Sequence, residues 1–141
     1  MSDIIFPRSP RETMAGWVYL PRFIDKIRLS IAGKLHEDYH ANFARKGFDG
    51  MWIKAAGLDA DQFIEVVRKT VTDGEVCDWV RANVKRPAEQ AAFNQAVLSN
   101  GTQDDPEIRA RLKMRKEQAG LGHRDDITTF VDYIDADEKR I

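Results

Sequence analysis

Cysteine is nearly absent from this chain of 141 residues: Cys77 is the only one, so no internal disulfide can form. That usage points to a reducing, cytoplasmic compartment. No apolar run approaches the roughly 20 residues that span a bilayer. The start, Met1 to Pro7, holds three apolar residues in a row and then breaks, so no signal peptide is expected. Net charge is also missing. With 22 Lys and Arg against 23 Asp and Glu, the total is −1, and no overall field favours nucleic acid or an anionic membrane. The chain lacks a glycine-rich phosphate loop, a dinucleotide fingerprint and a nucleophile elbow around Ser9, Ser30 or Ser99. No tandem repeat supports a solenoid.

Proline and arginine are concentrated at one end. Pro7-Arg8-Ser9-Pro10-Arg11 precedes Ala15-Gly16-Trp17-Val18-Tyr19, and Leu20-Pro21-Arg22-Phe23-Ile24-Asp25-Lys26 follows. Proline removes backbone donors and fixes φ, so residues 6–11 should form an extended arm. Together with Gly47-Phe48-Asp49-Gly50, these segments resemble a bacterial family known only as domain of unknown function 5069. The resemblance runs over most of the chain and implies no activity.

The remainder is punctuated like a helical bundle. Phe48-Asp49 before Ile53, Leu58-Asp59 before Gln62 and Phe63, and Val71-Thr72 before Glu75 and Val76 all read as helix starts. All three offer a hydrophobic staple, and the last two a capping box. Pro21 can open a helix whose Phe23, Ile24, Ile27 and Ile31 share one face, with Arg22 and Lys26 opposite. Leu35, Tyr39 and Phe43 make a narrower helical stripe, and Cys77 reads as a buried structural thiol. Only Trp17 to Leu20 could pass for a strand, and one strand makes no sheet. These signals predict an all-α single domain of six to eight short helices, near 21–33, 49–56, 59–71, 72–84, 87–99, 105–119 and 126–135. Residues 1–20 would be an arm packed on the helical domain, 21–141. A monomer is assumed.

His36-Glu37-Asp38-Tyr39-His40 matches H-E-x-x-H. On a helix both imidazoles could hold one zinc, with Glu37 as general base for a zinc-dependent hydrolase. The extended form of that motif fails, because its third-histidine position is Lys46 and its glycine position is Phe43. The family's pattern here is a Glu-Tyr pair leading to Gly-Phe-Asp-Gly, matched by Tyr39 and Gly47 to Gly50, without the histidine pair. His36 and His40 therefore read as polar-face residues flanking a buried Tyr39. No metal, cofactor or catalytic residue is assigned.

Arg8, Arg11 and Arg22 are the leading ligand-binding candidates. A guanidinium is a rigid fork of donors suited to carboxylate or phosphate. Trp17, Tyr19 and Trp52 could wall a small anion cleft between the arm and the first helix. The alternative is that these arginines pair with carboxylates such as Asp25 or Asp49 and clamp the arm to the core. Opposite charge blocks occur as well. Residues 1–34 hold six Lys and Arg against three Asp and Glu, and residues 104–141 hold eight against ten. Arg109, Arg111, Lys113, Arg115 and Lys116 crowd one helix, but Glu107 and Glu117 flank it and no aromatic interleaves. A nucleic-acid role ranks third on those grounds. The leading reading is a non-catalytic, cytoplasmic module that binds a small anion or a protein.

Overall fold

The structure is a computed structural model and describes residues 4–141. Seven α-helices and one two-stranded hairpin make up its regular structure among the described residues. The chain divides into two compact units, one running to Asn94 and the other Gln95–Ile141.

In the first unit an irregular arm leads into β1 (Thr13–Met14) and β2 (Trp17–Val18), paired antiparallel with Thr13 opposite Val18 and Met14 opposite Trp17. Trp17 therefore has the strand partner that the sequence did not reveal. Ala15 and Gly16 turn the chain with φ of 52° and 80°, both left-handed, which is the twist that closes a two-residue hairpin. Side chains one helical turn apart tie the hairpin down. Gln90 donates to the Ala15 carbonyl at 2.9 Å, and Asn94 bonds both the Gly16 carbonyl and the Val18 amide.

Helix α1 (Leu20–Ile31) follows, with proline in its first turn. Leu20, Phe23, Ile24 and Ile27 are fully buried, whereas Ile31 is exposed. Arg22 and Lys26 are 3% and 5% exposed, so the helix is covered on the side assigned to solvent. The stretch after it is not an α-helix. Residues 37–39 form a single 3₁₀ turn, so Leu35, Tyr39 and Phe43 share no helical stripe. Three helices follow: α2 (Gly47–Ala56), α3 (Ala60–Arg68) and α4 (Asp73–Asn83). Trp17, Phe23, Trp52 and Phe63 are the large rings of the core, meeting edge-on or tilted at centroid separations of 4.6–5.9 Å. Cys77 is only half-buried.

Helix α5 (Pro87–Ser99) carries the chain into the second unit, which holds α6 (Pro106–Gln118) and α7 (Phe130–Asp137). Asp105 caps α6 by accepting from the Glu107 and Ile108 amides. Thr129 caps α7, which starts four residues later than the expected 126. Leu112, Ile127, Val131 and Ala136 are buried there.

Candidate functional site

Arg22 and Lys26 lie one turn apart on α1, on one face of the helix. Beneath them sits Asp49, 1% exposed. The expected helix cap at Asp49 does not form, because α2 starts two residues earlier and Asp49 falls inside its first turn. Its carboxylate is used for something else. One oxygen receives the Lys26 ammonium at 2.9 Å and the Ala44 amide at 2.9 Å. The other accepts the Tyr19 hydroxyl.

Tyr19 is itself held in place by backbone geometry. Its φ of 77° is left-handed, just before α1, and its amide bonds the Glu12 carbonyl. Burial pushes the Tyr19 phenol well above the ordinary tyrosine range, and the negative Asp49 adds to that, while Arg22 partly offsets it. Tyr39 covers the cluster. Its half-buried ring lies 5.6 Å from the Arg22 guanidinium carbon and 5.8 Å from the Lys26 nitrogen, within cation–π range of both.

The arm closes the other side. Arg22 donates to the carbonyls of Arg8 at 3.2 Å and Pro7 at 3.5 Å. Arg8 grips Asp25 with two side-chain nitrogens, each at 2.9 Å, and with its backbone amide at 2.8 Å. A third nitrogen reaches Asp73 at 2.8 Å, and Arg28 bonds the other oxygen of Asp73 at 3.0 Å. The hydrogen bond with Asp25 raises the Arg8 guanidinium above the usual arginine value, outweighing burial.

Of the six candidates, Arg22 and Tyr19 meet in this cluster, and Arg8 joins it through its carbonyl. Arg8's guanidinium is committed to two carboxylates, and Arg11 is exposed on the surface. Trp17 and Trp52 are 1% and 0% exposed and belong to the aromatic core rather than to a cleft wall. The Trp52 indole N–H is buried without an acceptor among the described residues, a cost of about 1–3 kcal/mol. Lys26, Asp73 and the role of Tyr39 were missed. The available signal was the motif itself: Asp25-Lys26, Tyr39 and Asp49 all lie in the segments that carry the family resemblance.

Residues from the arm, α1, the 3₁₀ turn and α2 that carry the resemblance thus converge on one buried polar cluster. A family model described as Domain of unknown function (DUF5069) matches residues 4–140. The chain belongs to that family. Comparison with curated proteins gave no match.

The histidine motif of this DUF5069 chain is not built as a zincin. His36 Nδ1 accepts the Asp38 amide at 3.2 Å, and His40 Nε2 faces the Leu35 carbonyl at 2.9 Å. A 3₁₀ turn separates the rings, so they do not share an α-helical face. No group of three or more His, Cys, Asp or Glu that could hold a metal ion occurs among the described residues. No helix among them is long and apolar enough to cross a membrane.

Proposed function

We propose that this DUF5069 chain is a non-catalytic, cytoplasmic module that binds a small anion, held by Arg22 and Lys26 beneath Tyr39. The observation that supports this reading is the buried charge itself. In the first unit, two cations and one carboxylate are buried among the described residues, and both cations face one ring. A buried ion pair is a poor stabiliser compared with apolar groups of similar volume, because desolvation offsets the attraction. Stability alone gives no reason to place Arg22, Lys26, Asp49 and Tyr19 in a core. The Arg22 guanidinium fork supplies directional donors of the kind that suit a phosphate or a dicarboxylate. Tyr39, in a largely exposed segment, is the group an entering anion would displace. Arg8 acts in this reading as the clamp that holds the arm.

Thermal shift across phosphate, sulfate and small dicarboxylates tests the reading on the wild type, Arg22→Gln and Arg8→Gln. One of the anions should stabilise the wild type by roughly 2.7 kcal/mol at a hundred times its dissociation constant. Arg22→Gln should lose that gain, while Arg8→Gln melts lower yet keeps it. An unresponsive wild type, or equal gains in Arg22→Gln, would sink the proposal.

A further inference from the structure

The second unit contains a cleft of about 300 Å³, within the size range of small-ligand sites. Helix α6 forms one wall. Arg109, Lys113 and Lys116 recur there at i, i+4 and i+7, along a single edge. The buried side chains of Leu112 and Ile127 supply an apolar floor.

The cations differ in how they are held. Lys116 donates to the carbonyls of Arg124 at 2.6 Å and Ile127 at 3.2 Å, which fixes its half-buried ammonium and leaves one of three donors. Arg109 uses its Nε on the Gln103 carbonyl at 2.9 Å, and its ion pair with exposed Asp104 is long, at 3.9 Å. Lys113 has no hydrogen bond or ion pair among the described residues. Glu117 is the single carboxylate in the lining, against three cations. Gly101, Gly122 and Thr128 complete the lining. Gly101 has φ of 110°, and a Cβ there would lie 3.1 Å from Leu112 Cδ2 and from the Thr128 carbonyl oxygen. Any side chain at Gly101 would crowd the floor.

We propose that this cleft binds a small organic anion, a carboxylate or phosphate monoester carrying a compact apolar body. Lys113 and Arg109 meet the charged group, Lys116 orients it from below, and Leu112 and Ile127 receive the apolar part. The lining contains no aromatic ring on which a base could stack, so a polynucleotide is disfavoured. This site shares no residue with the cluster around Asp49 and does not depend on that reading.

The test is a titration of the isotope-labelled full chain with phenyl phosphate, inorganic phosphate and a single-stranded oligouridylate, followed by amide chemical shifts. Phenyl phosphate should shift Gly101, Gly122 and Thr128 saturably and bind more tightly than inorganic phosphate. The exposed substitution Lys113→Gln should weaken it about tenfold. Shifts at Tyr19, Ala44 and Asp49 report the first unit, so the two sites succeed or fail separately. The proposal is overturned by the absence of saturable shifts at the three cleft amides, by affinity unchanged in Lys113→Gln, or by tighter binding of the oligouridylate to the same residues.

Discussion

Ionising Tyr19 in place means creating a negative charge beside Asp49 with no water to solvate it. In the unfolded chain the phenol loses its proton near pH 10. In the fold it keeps that proton to a higher pH, because burial and Asp49 both disfavour the phenolate. The stability this contributes is fully present below pH 10 and is lost as pH rises through the folded value, with a slope of up to about 1.4 kcal/mol per pH unit. The urea midpoint of the wild type should therefore fall more steeply above pH 10 than that of Tyr19→Phe. Parallel alkaline limbs would show that the phenol does not carry this dependence. The neighbouring cations explain why this site was only half legible. An amphipathic reading puts long charged side chains in water, and Arg22 and Lys26 fit that pattern by spacing. Their burial depends on Tyr39 and the arm, which come from elsewhere in the chain, and periodicity within one helix carries no record of them.

Helix starts that look alike in sequence are not equivalent once folded. Thr72 and Glu75 form the full capping box. The Thr72 hydroxyl accepts the Glu75 amide at 3.3 Å, and Glu75 accepts the Thr72 amide at 3.0 Å and the Val71 amide at 3.1 Å. Those backbone donors hold the Glu75 carboxylate below its ordinary value. Asp59 sits at the N-cap of α3 but accepts no capping bond. Thr72→Ala should therefore cost about 1 kcal/mol, and Asp59→Ala no more than a few tenths. Denaturation midpoints would compare them, and equal losses would contradict the assignment. Seven helices were legible because caps, prolines and apolar spacing agree over many residues. The hairpin was not, because two-residue strands are too short to show a period of two. Its trace in the sequence was the Ala15-Gly16 pair, where glycine at the second loop position permits the left-handed turn. The His36 to His40 segment fails as a helix for a local reason. The His36 side chain accepts the Asp38 amide and caps a turn that begins at Glu37, which leaves His36 outside it.

The same few ion pairs govern how the arm belongs to the molecule. Arg8 links its segment to α1 through Asp25 and to α4 through Asp73. Its side chain is 34% exposed, so solvent screening reduces the strength of both pairs. Arg8→Gln should cost about 1–2 kcal/mol and speed amide exchange over residues 8–12. Unchanged exchange there would mean that the prolines alone hold the arm. The clamp reading was available from sequence, with Asp25 or Asp49 as carboxylate partners, and Arg8 takes Asp25. Asp73, 65 positions away in the chain, carries no signal that ties it to Arg8. The placement of the large aromatics has an optical consequence. All three tryptophans, Trp17, Trp52 and Trp79, fall in the first unit, and two of them are fully buried. Their emission reports the melting of that unit alone, whereas far-ultraviolet dichroism sums the helices of both. Recorded on one sample, the two signals measure whether the units lose structure in a single cooperative step, without a label or an added dye.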